Sequence, residues 1–230
     1  MRKLDGISAH SQRQKSLNGA TRVVASTFGV LVGLAAVEHG IFELLQGNVA
    51  TSDLMIYAIG PAQRFWEHGV EPALTVVPNF FVTGILAIAF GILVTIWAGW
   101  FIDRKYGSWL LLLLSLIVWL VGGGFAPIFM SILAFATATR INKPLTWWRV
   151  HLRVNVQSFL AKLWRWSIIS FVVVFAVGVE IAIFGYPLLW VFDAEVTLTI
   201  QYVLAFIMVA LMPVSILTAF AYDIHQRTAG

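Results

Sequence analysis

Two short stretches of the sequence combine a histidine with carboxylates. Residues 38–41 are Glu-His-Gly-Ile and residues 67–70 are Glu-His-Gly-Val, and a further glutamate follows each stretch. Imidazole and carboxylate groups bind divalent ions such as Zn, Mn or Fe, and a neutral imidazole also binds haem iron. If folding brings the two stretches together, they form a divalent metal site, with a haem between the two histidines as an alternative. The predicted ligands are His39, Glu43, Glu67, His68 and Glu71.

These residues have two other interpretations. His39 and Glu43 share a helical face because four residues separate them, whereas Glu38 points about 100° away from His39. Polar groups near a membrane interface can satisfy one another and anchor a loop, which needs no further function. They can also carry protons or cations.

Glu180 is a second polar residue in an apolar setting. It lies in the run FAVGVEIAIFG, near the centre of a predicted membrane span. A carboxylate at that depth costs about 2.5 kcal/mol or more, so we expect it to face the bundle interior or water. Ionisable residues inside a membrane are functional candidates. We therefore predict a proton or cation pathway that uses Glu38, His39 and Glu180.

Membrane helices must position these side chains. The chain has 230 residues, of which 60% are hydrophobic and 11% are charged, whereas a soluble domain carries about 25% charged residues. Several apolar runs reach the roughly 20 residues that cross a bilayer, and they are continuous, so strands are not expected. The absence of cysteine excludes disulfides and thiolate chemistry, and the net charge of +4 does not indicate nucleic acid. The sequence predicts an all-α, polytopic integral membrane helix bundle.

The apolar runs predict four full spans, at residues 23–47, 79–102, 167–192 and 196–222. The segment 108–139 is too long for one span and too short for two. Its centre, from Gly122 to Pro127, is rich in helix-breaking residues. We therefore predict a re-entrant or short-helix hairpin there, with one long tilted span as the alternative.

The distribution of basic residues favours the hairpin. If residues 108–139 return to the same side, all Lys and Arg residues except Arg64 lie on one side of the membrane. The positive-inside rule assigns that side to the cytoplasm. We predict a multi-pass plasma-membrane protein with both termini in the cytoplasm and, from its polar start, no cleaved signal peptide. Its parts are a basic segment at 1–22, a single transmembrane bundle at 23–222 and a tail at 223–230.

Residues 147–166 have the pattern of an amphipathic helix at the membrane surface. Apolar side chains fall on one face at helical spacing and basic side chains fall opposite. Basic side chains near a bilayer attract anionic lipid headgroups. The predicted membrane-surface residues are Arg149, Arg153, Lys162 and Arg165. Further along the chain, we expect Asp223 and His225 to form a solvated helix end.

Small residues recur every fourth position in the first two spans. They are Ala25, Gly29 and Gly33, followed by Thr83, Ala87, Gly91, Thr95 and Gly99. Small residues let helix backbones approach closely in lipid. We expect tight packing within the bundle, with a homo-oligomer face as the alternative.

Three functions fit these features. The first is a small transport or proton- and cation-handling module that uses intramembrane Glu and His. The second is a membrane-embedded metal-dependent enzyme, of hydrolase type, with a Glu/His site at the outer face. The third is a structural or accessory subunit of a larger membrane complex. The sequence has no Walker, His-Glu-x-x-His or Gly-x-Ser-x-Gly motif, so whether the chain is an enzyme stays open.

Overall fold

Four long apolar helices dominate the computed structural model, which describes residues 18–228. They are α1 (Gly19–Leu45), α2 (Phe80–Ile96, extended by a π-helical turn at Trp97–Phe101), α6 (Val154–Phe184) and α7 (Ala194–Thr228). Each is long and apolar enough to cross a membrane. The predicted all-α membrane helix bundle is confirmed.

Two short helices, α3 (Gly107–Leu120) and α4 (Ala126–Ala138), pack against each other as a hairpin. With 14 and 13 residues, each extends about 20 Å, which is less than the thickness of a bilayer core. The chain reverses at residues 121–125. Gly122 and Gly124 have φ angles of 96° and 81° there, in the left-handed region where glycine is favoured. The predicted hairpin at 108–139 is therefore confirmed.

Both outer ends of this hairpin lie at the same end of the bundle, which we call the basic end. Beyond α4, the Ile141 carbonyl accepts a hydrogen bond of 3.0 Å from Asn18 N, just before α1. Before α3, Asp103 forms an ion pair of 3.2 Å with Arg22. The hairpin tip lies at the opposite end, which we call the sheet end, where Gly122 N donates to the Leu74 carbonyl.

Asp223 closes the basic end, and the prediction that it is a solvated helix end is wrong. Its side chain is buried and accepts hydrogen bonds from Ala20 N at 3.0 Å and from Thr21 N at 2.8 Å. The Thr21 hydroxyl donates a third at 2.6 Å. A carboxylate satisfies the free N–H groups at a helix start and interacts favourably with the helix dipole. Asp223 of α7 thus caps α1, where the local residue Asn18 makes no side-chain cap.

A two-stranded antiparallel ribbon covers the sheet end, which corrects the prediction that strands are absent. It consists of β1 (Met55–Ile59) and β2 (Glu71–Leu74), with Met55 paired to Leu74 and Ile59 paired to Glu71. The prediction considered only strands long enough to span a bilayer. These short strands lie outside the apolar runs, and they bury alternate side chains such as Ile56.

The segment 147–166 is not one surface helix, contrary to the prediction. A short helix, α5 (Thr146–His151), ends before Leu152, and α6 begins at Val154 and continues without a break to Phe184. The stretch from Val154 to Phe184 contains no proline, so nothing in it stops the helix. The third long helix therefore begins before residue 167 and ends before residue 192.

Helix α1 lies at the centre of the bundle and packs against α2, α4 and α7. Its contact with α2 is close enough to involve the backbones. A Cβ atom on Gly40 would lie 2.6 Å from the Gly84 carbonyl oxygen, and one on Gly91 would lie 2.7 Å from the Gly33 carbonyl oxygen. The predicted tight packing of the small-residue faces is confirmed.

Candidate functional site

A cavity of about 160 Å³ lies between α1, α4, α6 and α7, and β2 contributes to it at the sheet end. Most of its wall is apolar. The apolar residues include Pro127, Met130, Phe175, Val179, Met208 and Met212. The polar residues of the wall are Glu38, His39, Glu71 and Gln201. A mostly apolar cavity with a few polar groups is typical of a small-molecule site.

His39 reaches this cavity from α1. It is 7% exposed, and its Nδ1 atom has no hydrogen-bond partner among the described residues. Its ring packs against Gly124 at the hairpin tip, where any side chain would overlap the ring. The glycine therefore makes room for the imidazole. A buried polar atom without a partner is unusual in a folded protein, which marks His39 as a functional candidate.

Glu43 lies one helical turn further along α1. Its side chain is fully buried, and neither carboxyl oxygen has a hydrogen-bond partner in the part of the chain that the structure describes. Its carboxyl group packs against Gly122 of the hairpin tip. An ionised carboxylate without a partner is costly inside a bundle. Glu43 is therefore a second unusual group, one helical turn from His39, which lines the cavity.

Glu71 brings a carboxyl group to the same cavity from the sheet end. It is half-buried at the start of β2, and burial raises the pKa of its carboxyl group. Glu38 of α1 lines the same cavity as Glu71. The structure thus places Glu38, His39 and Glu71 on one cavity, although Glu71 lies 33 positions after Glu38 in the sequence.

The rest of the second Glu-His-Gly stretch covers the cavity and does not line it. The Trp66 indole donates a hydrogen bond of 3.0 Å to the Ala182 carbonyl of α6. The Nε2 atom of His68 lies 3.6 Å from the Oε1 atom of Glu195, at the start of α7. Glu67 is exposed. The segment 66–71 therefore forms a cap on the sheet end of the cavity, attached to both α6 and α7.

The five predicted metal ligands do not lie together in the structure. His39 and Glu71 line the cavity, Glu43 is buried one turn from His39, and Glu67 and His68 lie in the cap. Within residues 18–228 there is no group of three or more His, Cys, Asp or Glu side chains that could hold a metal ion. The divalent metal, the haem and the metal-dependent enzyme stay predictions.

Glu180 does not lie near the centre of its helix, contrary to the prediction. Its side chain is exposed, and it lies one turn before the end of α6 at Phe184, away from the helix centre. Its neighbours Val179 and Ala182 line the cavity, and the helical twist directs residue 180 to another side. The predicted position was wrong because α6 begins and ends earlier in the sequence than the predicted span.

The predicted membrane-surface residues lie at the basic end, on α5 and the first turns of α6. All four are exposed, and the guanidinium of Arg165 lies 5.7 Å from the ring centre of Trp164. Exposed basic side chains beside aromatic rings suit a headgroup layer. Binding of anionic lipid by Arg149, Arg153, Lys162 and Arg165 stays a prediction.

Sequence reasoning missed Gln201. This residue of α7 lines the cavity, and its Oε1 atom is buried without a hydrogen-bond partner among the described residues. Thr197, one turn earlier on the same face, also has a buried hydroxyl without a partner there. An amide within a long apolar run is the signal that could have identified Gln201.

Comparison with known protein families, with curated proteins and with solved structures finds no match to this chain. The class of the protein therefore follows from the fold and the site alone. It is a multi-helix membrane protein with four long apolar helices and a cavity inside the bundle that carries carboxyl and imidazole groups.

Proposed function

We propose that this protein is a small transport module that handles protons or cations, with Glu38, His39 and Glu71 as its binding groups. One observation carries the proposal. These three ionisable side chains, from two separate elements, line one cavity within a helix bundle that is apolar enough for a membrane. Ionisable groups in such a position mark ion and proton pathways in membrane proteins.

The ionisable groups of the cavity wall favour a positively charged substrate. Among residues 18–228, the wall contains two carboxyl groups and one imidazole and no lysine or arginine. Anions would meet two carboxylates without any compensating positive charge. Protons and cations would neutralise them.

The cavity extends far along the bundle axis, which favours a pathway for ions over a binding site at the protein surface. Its wall on α7 extends from Gln201 to Met212, which corresponds to about 16 Å along the helix axis. Glu71 lies at the sheet end of this path, and Glu38 and His39 lie on α1 within the bundle. A proton or cation could therefore pass from the cap toward the middle of the bundle.

We also propose that the protein lies in the plasma membrane with both termini in the cytoplasm. The two outer ends of the α3–α4 hairpin, the start of α1 and the end of α7 lie together at the basic end. This supports placing the basic residues on one side of the membrane, which the positive-inside rule assigns to the cytoplasm.

The experiment is a proton-flux assay in liposomes that contain the purified protein and an internal pH-sensitive dye. A potassium diffusion potential drives protons inward. We expect flux above that of protein-free liposomes, and we expect Glu38→Gln and Glu71→Gln to reduce it to the protein-free level. Glu67→Gln is the matched control, because Glu67 is exposed in the cap and does not line the cavity. Equal flux in all three variants and the native protein would contradict the proposal.

A further inference from the structure

We propose that the cavity binds an amphipathic organic cation, such as a quaternary ammonium with an apolar substituent. This rests on the proposed function, because it names the class of cation for the same site. The charged group would lie at Glu38 and Glu71, and the apolar part would lie deeper, between α4, α6 and α7.

The polar and apolar parts of the cavity wall are separated along the bundle. Gln201 is the wall residue of α7 nearest the sheet end, and Glu71 belongs to the ribbon at that end. Further toward the middle of the bundle, the wall of α7 continues with Leu204, Ala205, Met208 and Met212. A ligand that fills this cavity therefore meets charge at one end and apolar side chains along the rest of its length.

The apolar part suits an organic substituent in particular. Met130 of α4 and Met208 and Met212 of α7 line it, and methionine side chains adapt to ligands of irregular shape. Phe175 of α6 adds an aromatic ring to the same wall. Aromatic rings attract ammonium groups through the ring face, in addition to packing against apolar groups.

The polar part contains a group that is buried and lacks a partner. His39 is 7% exposed, lines the cavity, and has an Nδ1 atom without a hydrogen-bond partner in the described chain. Gln201 Oε1 is in the same situation. The positive charge of a quaternary ammonium at this end would lie beside the carboxyl groups of Glu38 and Glu71 and would be attracted, without a hydrogen bond, by the partial negative charge of Gln201 Oε1.

Other ligand classes fit less well. A divalent metal ion needs several nitrogen or oxygen ligands, and residues 18–228 hold no group of three or more His, Cys, Asp or Glu side chains placed for one. An organic anion would meet two carboxyl groups and, among residues 18–228, no lysine or arginine on the wall. A neutral apolar molecule would bring no positive charge to the carboxyl groups of Glu38 and Glu71.

The test is isothermal titration calorimetry of the full-length protein in detergent, with benzyltrimethylammonium as the probe. We expect saturable binding to one site. Tetramethylammonium, which has the charge without the apolar part, should bind about tenfold or more weakly. Benzenesulfonate, an anion with a similar ring, should not bind measurably.

Variants connect the binding to the cavity. Glu38→Gln should weaken binding of benzyltrimethylammonium about tenfold or more, because a half-buried partner of the charge is lost. Glu67→Gln, in the exposed part of the cap, should leave it unchanged. Met208→Ala should weaken binding of benzyltrimethylammonium more than binding of tetramethylammonium, because Met208 lies in the apolar part. A single symmetrical peak in size-exclusion chromatography identifies the variants that are folded.

The outcomes separate this inference from the proposed function. Proton flux that depends on Glu38 without saturable ammonium binding would overturn the ligand class and leave proton handling in place. Saturable binding that depends on Glu38 without flux would support the site and contradict transport. Equal binding of benzyltrimethylammonium and benzenesulfonate, or equal binding by Glu38→Gln and Glu67→Gln, would overturn the inference.

Discussion

The buried carboxyl group of Glu43 packs against the backbone of Gly122, at the tip of the α3–α4 hairpin. One turn earlier on α1, the ring of His39 packs in the same way against Gly124. The hairpin tip thus positions both polar side chains of α1, and it does so with residues that have no side chain of their own. The site and the hairpin therefore depend on each other.

This contact predicts that Gly122→Ala destabilises the protein. Gly122 has a φ angle of 96°, which a residue with a Cβ atom adopts only with strain, and the added methyl group would overlap the Glu43 carboxyl group. We expect a loss of about 2 kcal/mol or more in the free energy of unfolding. Thermal unfolding in detergent measures it. Gly99→Ala is the control, because a Cβ atom there has no neighbour within 4 Å; an equal loss in both variants would contradict the prediction.

Asp223→Ala should also destabilise the protein. It removes three hydrogen bonds from the start of α1 and leaves the N–H groups of Ala20 and Thr21 buried without partners. We expect a loss of about 2 kcal/mol in the free energy of unfolding, measured by thermal unfolding.

Asp193 provides the comparison for Asp223, because it stabilises the start of the helix that follows it in the sequence, α7. Asp193 accepts a hydrogen bond of 2.8 Å from Val196 N at the start of α7, and its side chain is exposed. Asp193→Ala should cost less than Asp223→Ala, because water replaces the lost partner. If Asp193→Ala were the more damaging change, the long-range cap of α1 would not matter as proposed.

The stability of the protein should fall with rising pH in a manner that depends on Glu71. Burial raises the pKa of this carboxyl group above its ordinary value of 4.5, so the folded state binds the proton more tightly than the unfolded state. This contribution to stability is present below pH 4.5 and is lost as the pH rises through the pKa of the folded state. Among the described residues, the other ionisable groups that line this cavity are Glu38 and His39 of α1.

Replacing Glu71 isolates its share of this pH dependence. The glutamine side chain of the Glu71→Gln variant cannot ionise. The melting temperature of the variant should therefore fall less between acidic and neutral pH than that of the native protein. At neutral pH the variant should be the more stable of the two. Melting curves at matched pH values measure both effects, and parallel curves for the two proteins would exclude a role of Glu71 in the pH dependence.

Site-directed labelling tests the proposed orientation. The chain has no cysteine, so a single introduced thiol is the sole reactive one. Asp53 lies at the sheet end and Asn155 near the basic end, and both side chains are exposed. In intact cells, a membrane-impermeant maleimide should label Asp53→Cys and should label Asn155→Cys only after the cells are opened. The reverse pattern would place the termini outside.

Much of the architecture could be predicted from local features of the sequence. The apolar runs are long enough to specify membrane helices, and the glycine-rich centre near Gly122 specifies where the α3–α4 hairpin reverses. Each of these features acts within one turn or one span, so a single stretch of sequence contains the whole cause. The small-residue faces belong to the same kind of pattern, and they correctly predicted tight packing within the bundle, which the structure shows between α1 and α2.

Which polar residues line the cavity depended on contacts between segments that are distant in the sequence. The two Glu-His-Gly stretches look alike in sequence, yet His39 lines the cavity while His68 lies in the cap beside Glu195. Gln201 lines the cavity, and Glu180, one turn from the end of its helix, does not. Asp223 caps a helix that begins 204 positions earlier in the chain. The sequence alone established the membrane helices and their breaks, because length, apolar content and glycine act locally. The tertiary structure decided which polar groups meet, because that depends on how the helices are rotated and packed against one another.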